Sequence, residues 1–215
     1  MIGWRHIVVE GPIGVGKTTL ARQLAPQMDA DLMLERPDEN PFLQRFYADM
    51  PGYALQTQLF FLFQRARQAR ELAQAGLFSR PVVGDYLFAK DALFARLTLS
   101  DEEHRLYLQM YGQLAHDVSE PDLVIWLQAS PATLLRRIRA RGIAMEQRID
   151  EAYLERLCAA YVEHFRAYDG APVLAIDTEH LNPARSDTDL SGLVQQVRYA
   201  LAAALRPGVR TDAGP

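Results

Sequence analysis

The sequence predicts an α/β fold, a five-stranded parallel sheet flanked by helices on both faces, and three observations carry that expectation. Five short apolar runs alternate with longer stretches of helical periodicity. The runs are nearly continuous in apolar residues, as strands covered on both faces are. The first run passes directly into Gly11-Pro-Ile-Gly-Val-Gly-Lys-Thr18, a G-x-x-x-x-G-K-T motif whose setting is a strand before and a helix after.

In chain order, His6 to Glu10 reads as the first strand and Lys17 to Gln27 as the first helix. Ala30 to Glu35 is the second strand, followed by helical patterns over 41–48 and 53–75, with Gly76 as a stop. Pro81 to Asp85 is the third strand, and helices over 87–96 and 101–117 follow it. Asp122 to Gln128 is the fourth; Ser130-Pro131 then opens a helix over 131–141 that Gly142 closes. Tyr153, Leu154, Leu157, Tyr161 and Phe165 mark the apolar face of a helix over 151–168, with Gly170 beyond it. Pro172 to Asp177 is the fifth strand, and Asn182-Pro183 introduces a last helix over 188–205. No internal repeat interrupts this order. Residues 1–205 therefore read as one domain, and 206–215, rich in Gly, Pro and small polar residues, as a flexible tail.

A chain of 215 residues that is 49% hydrophobic and 23% charged can bury one proper core. Its net charge of −4 and lack of a long basic run argue against a nucleic acid polymer as partner. No apolar run approaches the roughly 18 residues of a membrane helix, and Met1 leads almost directly into the first strand, leaving no room for a signal peptide. The single cysteine, Cys158, sits on the apolar side of a helical pattern, so no disulfide framework exists, which fits a cytoplasmic protein. His6, His104, His116, His164 and His180 show no metal-ligand spacing and read as surface or helix-face residues; Trp4 and Trp126 read as packing residues.

The chemistry starts at the glycine motif. Backbone amides of Gly11, Pro12, Ile13, Gly14, Val15 and Gly16, proline excepted as a donor, can curl around phosphate oxygens; Lys17 adds a mobile cation, and Thr18 and Thr19 open the helix. Polyphosphate as ligand implies ATP, and the Thr18 hydroxyl is placed to ligate Mg²⁺. Ligands of open α/β sheets bind beyond the carboxyl ends of the strands, where Glu35 and Asp85 also fall. Each carboxylate alone also reads as a turn or capping residue. Beside a phosphate loop, one can take an acceptor hydroxyl's proton and the other can hold Mg²⁺.

Two helical constellations are open to two readings. Gln58 and Arg65, seven residues apart, share an azimuth and form either a donor stripe or a solvated face, the run Leu59 to Phe63 weighing for burial. Arg137 and Arg141, at i and i+4, either clamp phosphates together or solvate a helix end. Phe60, Phe63, Phe88 and Phe94 read as core or as a stacking wall.

The order of these motifs resembles the deoxyribonucleoside kinases, specifically the bacterial deoxyadenosine/deoxyguanosine kinase branch, over about residues 5–180. The resemblance implies a P-loop kinase fold with a helical lid over about 137–150. It implies transfer of the γ-phosphoryl group of Mg·ATP to the 5′-hydroxyl of a deoxyribonucleoside, with Glu35 in Leu34-Glu-Arg-Pro37 as the catalytic carboxylate. By the same resemblance Tyr47 contacts the sugar, Gln58, Arg65 and Asp91 the base, and Glu146 the sugar 3′-hydroxyl. Lys17, Arg137 and Arg141 act on the transferring phosphate, and Asp85 with Thr18 on the metal. Pairing as a homodimer through a helix surface is also implied. Two positions depart from the family pattern. The arginine that follows the acid is Tyr86 here, and a third lid arginine is Ile143; Arg36, Arg139 and Arg148 are candidate replacements. The rivals are a nucleoside monophosphate kinase of thymidylate-kinase type and an ATP-dependent switch protein, which needs no acceptor pocket.

Overall fold

The computed structural model describes residues 3–74, 79–181 and 186–205. Ile7, Val8 and Val9 lie almost wholly out of water, and the strand they belong to, β1 (His6–Glu10), is the middle of the sheet. It pairs in parallel with β3 (Val82–Gly84) on one side and β4 (Leu123–Gln128) on the other. The outer strands are β2 (Asp31–Met33) and β5 (Val173–Asp177), giving the all-parallel order β2-β3-β1-β4-β5. This is the five-stranded sheet the sequence predicts, with one correction: the edge strands are not fully buried, Asp31 and Leu32 being exposed where no further strand covers them. Strand β2 also ends at Met33 rather than Glu35. The Glu35 amide leaves the ladder because it donates to Asp85 Oδ1 at 2.7 Å.

Helix α1 (Lys17–Gln27) follows the glycine motif directly. Helix α2 (Leu43–Ala48) is short, and α3 (Met50–Gln74) begins three residues before the expected start, with Pro51 in its first turn, where a missing N–H costs nothing. Helix α4 (Lys90–Thr98) begins later than expected, because residues 87–89 form a turn closed by Lys90 N to Leu87 O at 3.1 Å. Helix α5 (Asp101–Ala115) starts on a capping box between Ser100 and Glu103. Helix α6 (Pro131–Arg141) has the predicted bounds: Ser130 Oγ accepts from Thr133 N, and Gly142 closes it at φ 74°, a left-handed conformation that favours glycine. A 3-10 turn, Ala144–Arg148, leads to α7 (Glu151–Ala167), capped by Asp150, and α8 (Asp187–Ala204) completes the fold. Gly76, Asn182-Pro183 and the expected tail 206–215 lie outside the described residues.

Two apolar cores result. The first joins the sheet to α1, α6, α7 and α8, and includes Leu20, Leu24, Ile125, Leu134, Leu154 and Leu157. In it Trp126 stacks on Phe165 at 4.7 Å, and half-buried Cys158 packs against the cluster. The second is helical, built from α2, α3, α4 and α5 around Phe46, Phe61, Leu62, Phe88 and Tyr107. His6 departs from the surface reading: both imidazole nitrogens are buried without a hydrogen-bond partner among the described residues, and burial pulls the ring's pKa down to about 4, against the attraction of Asp122. Among the described residues no helix is long and apolar enough to cross a membrane.

Candidate active site

The site forms between the two cores, at the carboxyl ends of β1, β2 and β3. The loop between β1 and α1 depends on its glycines. A Cβ on Gly11 would stand 2.5 Å from the Leu127 carbonyl oxygen of the neighbouring strand, and Gly16 has φ 106°, so the backbone turns where a side chain could not. Val15 N donates to Pro12 O at 3.2 Å, which curls the loop. Lys17 Nζ folds back onto this loop, donating to Gly11 O at 2.7 Å and Pro12 O at 3.2 Å. Burial, then the neighbouring Lys90 ammonium, pull the Lys17 pKa down to about 8 against Glu10, Glu35 and Asp85. Thr19 is exposed one residue into the helix from Thr18.

Asp85 sits at the end of β3, 3% exposed, and ties the loop to the second strand. Its Oδ2 accepts from the Thr18 hydroxyl at 2.5 Å and its Oδ1 from the Glu35 amide. The Glu35 side chain is held by cations from the helical core. Arg65 Nε donates to Oε1 at 3.0 Å, Arg65 Nη2 pairs with the same oxygen, and Lys90 Nζ lies 3.2 Å from it. Burial would push the Glu35 pKa up, but the Arg65 and Lys90 charges outweigh it and hold the carboxyl well below the usual carboxylate range. Arg65 also pairs through Nη1 with Asp91, which is fully buried in the first turn of α4. Its guanidinium lies over the Phe61 ring, 4.8 Å from the centroid.

Gln58, 4% exposed, points at the far end of α4, where its Nε2 donates to Thr98 Oγ1 at 3.3 Å. The Gln58 and Arg65 stripe is therefore buried, and the solvated reading is excluded. On the other wall, Glu146 in the 3-10 turn pairs with Arg141 and is 7% exposed. Tyr47 is half-buried beside it: loss of solvent around the phenol pushes its pKa above its usual value, Tyr153 and Glu146 adding to the effect. The two arginines of α6 do not act on one partner. Arg137 Nη1 donates to the Thr178 hydroxyl at 3.1 Å and Val15 O at 3.4 Å, and Nη2 to Thr178 O at 2.6 Å, whereas Arg141 turns to Glu146.

Other expectations need correction. Arg36 pairs outward with Glu39 rather than with Glu35, and the lid candidates Arg139 and Arg148 are exposed. Phe88, stacked on Tyr111, and Phe94, edge-on to Tyr161, take the core reading, Phe60 is half-buried, and Phe63 alone of the four faces outward at 48% exposure; Phe61 is the aromatic under Arg65. Two residues escaped the sequence reading. Glu10, the last residue of β1 and wholly buried, accepts from Gly11 N at 2.7 Å, Tyr161 Oη at 2.9 Å and Leu87 N at 2.6 Å. Lys90 lies between Glu10 Oε2, at 3.8 Å, and Glu35. A strand-terminal acid before the phosphate loop and a lysine at a helix start were the available signals.

In chemical terms, a phosphate-binding loop faces a carboxylate held ionised by Arg65 and Lys90, next to a buried polar pair that can both donate and accept. That arrangement can hold a polyphosphate and take a proton from a hydroxyl acceptor. Known proteins bear on the chain as a whole. The deoxynucleoside kinase family profile matches residues 7–201. The chain is 32% identical to deoxyguanosine kinase of Bacillus subtilis, over 89% of this chain and 95% of that protein, and 31% identical to deoxyadenosine kinase of Dictyostelium discoideum, over 90% and 81%. It superposes on deoxyadenosine kinase from M. mycoides, solved with dATP bound, at a TM-score of 0.78 and 22% identity, covering 90% of this chain and 99% of that one. The phosphate loop, the parallel sheet and these matches agree, and the chain belongs to the deoxynucleoside kinase family.

Proposed function

We propose that the protein transfers the γ-phosphoryl group of Mg·ATP to the 5′-hydroxyl of a purine deoxyribonucleoside, deoxyadenosine or deoxyguanosine. One observation carries the reading: Arg65 joins Glu35, a carboxylate beside the phosphate loop, to Asp91, a buried carboxylate whose ion-pair partner among the described residues is Arg65 alone. A buried donor and acceptor pair suits a nucleobase edge, and it rejects a base that leaves either group unpaired. The names of the relatives, deoxyguanosine kinase and deoxyadenosine kinase, support a purine.

In this reading the loop amides and Lys17 hold the β- and γ-phosphates, and Glu35 Oε2, which accepts no hydrogen bond from the described residues, accepts the 5′-hydroxyl proton as the oxygen attacks phosphorus and the bond to the β-phosphate oxygen breaks. Gln58, Arg65 and Asp91 read the base, and Tyr47 and Glu146 the sugar. Residues 137–150 act as a lid, with Arg137 and Arg141 closing over the developing charge and excluding water. Among the described residues no cluster of three or more His, Cys, Asp or Glu could hold a metal alone. Thr18 Oγ1 and Asp85 Oδ2, hard oxygens 2.5 Å apart beside the loop, fit Mg²⁺: Thr18 would hold it directly and Asp85 through water. When bound, it neutralises charge on the β- and γ-phosphates.

A nucleoside monophosphate acceptor is less favoured, because the cations on the acceptor side, Arg65 and Lys90, already pair with carboxylates. A switch protein needs no such pocket. We also infer a homodimer, since Phe63 on α3 and Leu106 and Leu108 on α5 are 48%, 47% and 43% exposed, and a cytoplasmic location, consistent with the free Cys158. The test incubates the protein with Mg·ATP and, separately, deoxyadenosine, deoxyguanosine, deoxycytidine, thymidine and thymidine monophosphate, and identifies the products. A purine deoxynucleoside monophosphate is expected. Product from thymidine monophosphate alone, or ATP hydrolysis that needs no acceptor, would overturn the reading.

A further inference from the structure

Lys90 is a lysine in an unfavourable place. It is the first residue of α4, where the helix dipole disfavours a cation, and its side chain is only 4% exposed. Such a residue persists where specific partners compensate it, and Lys90 has two, each belonging to a different part of the site. Its Nζ stands 3.8 Å from Glu10 Oε2 and 3.2 Å from Glu35 Oε1. The other oxygen of Glu10 accepts the amide of Gly11, the first residue of the phosphate loop. One lysine thus spans from the start of the loop to the carboxylate that faces the acceptor.

The surroundings fix its direction. Glu10 is wholly buried and satisfied by Gly11, Leu87 and Tyr161, so it cannot swing towards Glu35. The buried Tyr86 ring presents its face to both cations, 6.0 Å from Lys90 Nζ and 5.7 Å from Arg65 Cζ, and its hydroxyl is engaged with Met33 Sδ at 3.8 Å. Arg65 cannot serve Glu35 alone, because its Nη1 belongs to Asp91. Among the described residues no ion pair or hydrogen bond joins the Lys90 ammonium to Asp91 or Gln58, so its hold on Glu35 does not depend on which base is present.

We propose that Lys90 is a positioning residue for phosphoryl transfer: it braces Glu35 through Oε1 against the Glu10-anchored phosphate loop, so that Oε2 meets the acceptor hydroxyl in line with the γ-phosphate. It supplies the cation next to the catalytic carboxylate that position 86, a tyrosine, does not. The inference rests on the kinase reading above. Lys90→Met keeps the length of the side chain and removes its charge. It is expected to lower kcat about 100-fold while leaving KM for nucleoside and for ATP within about threefold. Because Lys90 acts through Glu35, Glu35→Gln/Lys90→Met is expected to lose no more than Glu35→Gln alone. Lys90→Arg keeps a cation beside Glu10 and is expected to retain about a tenth or more of wild-type kcat.

A Lys90→Met kcat within about threefold of wild type overturns the inference, as do losses that multiply fully in the double variant. If Lys90→Met does not fold, Lys90→Arg decides: a folded protein in which KM for nucleoside rises more than kcat falls places Lys90 in binding and overturns it. Wild-type protein that phosphorylates no deoxynucleoside overturns the kinase reading and this inference with it, whereas an active wild type with an unimpaired Lys90→Met removes this inference only.

Discussion

On the donor side of the site the charged groups are held by main chain: Lys17 donates to the carbonyls of Gly11 and Pro12, and Glu10 accepts the amides of Gly11 and Leu87. On the acceptor side they hold one another, Glu35 against Arg65 and Lys90, and Arg65 against Asp91. A main-chain cradle is set by glycines and strand ends, and changing one side chain leaves its geometry standing. A buried network of side-chain charges has no such reserve, since the loss of one member strands the others in a medium that solvates them poorly. The two halves of the site should therefore fail in different ways.

Arg65→Met tests this most severely. It leaves Asp91 buried without its cation and removes one of two from Glu35, and a broken buried pair costs about 3 to 5 kcal/mol. Urea unfolding should show a loss of that size, and turnover should vanish. Adding Asp91→Leu removes the stranded carboxylate, so most of the stability should return while turnover does not. A double variant no more stable than Arg65→Met would mean that packing, not charge, dominates the acceptor side. Glu35→Gln is milder for the fold, because Glu35 is 20% exposed, and its effect is chemical. With the base gone, kcat should fall on the order of 10²-fold with KM little changed. Near-wild-type turnover would move the proton's destination away from Glu35.

The two halves also differed in how much of them could be read from the chain. The donor half is local: Gly11 to Thr18 follows β1 and opens α1, so its geometry was written in one short stretch. Glu35 and Asp85 were legible because strand ends in a parallel sheet share one edge. The spacing of Gln58 and Arg65 was visible too, but whether their stripe met water or α4 depended on a helical core assembled from four segments. Lys90 went unread for the same reason. Its partners lie 80 residues back at Glu10 and 55 back at Glu35, a juxtaposition that only the folded sheet creates. Glu10 looked like the end of a strand, because nothing in the apolar run before it announces three donors converging on one carboxylate.

His6, at the amino end of β1 and away from the site, gives the fold a pH dependence of its own. Its nitrogens are buried on β1, and burial lowers its pKa from 6.5 to about 4 in the folded chain. The unfolded chain then takes up this proton first, so the stability His6 permits is complete above about pH 6.5 and is lost as pH falls towards about 4. The part of the window between pH 7.5 and 4.5 is worth on the order of 2 to 3 kcal/mol. Urea unfolding of wild type and His6→Leu at pH 7.5 and 4.5 should show the wild type losing more by about that amount, the carboxylates contributing equally to both proteins. Parallel losses would mean that the His6 ring finds water or a partner when it is protonated.

The smallest effect separates stability from chemistry. Ser100 and Glu103 close a capping box on α5, with Ser100 N donating to Glu103 Oε2 at 2.9 Å and Glu103 N to Ser100 Oγ at 3.4 Å, at an exposed end of the helical core that contacts none of the site's charges. Ser100→Ala should cost about 1 kcal/mol in urea unfolding and leave kcat and KM at wild-type values. Its value lies beside Arg65→Met, which weakens the same helical core and should abolish turnover. If a loss of about 1 kcal/mol at the cap already lowers kcat, the acceptor side is sensitive to the looseness of its helices, and the charge network would be only one of the things that hold Glu35 in place.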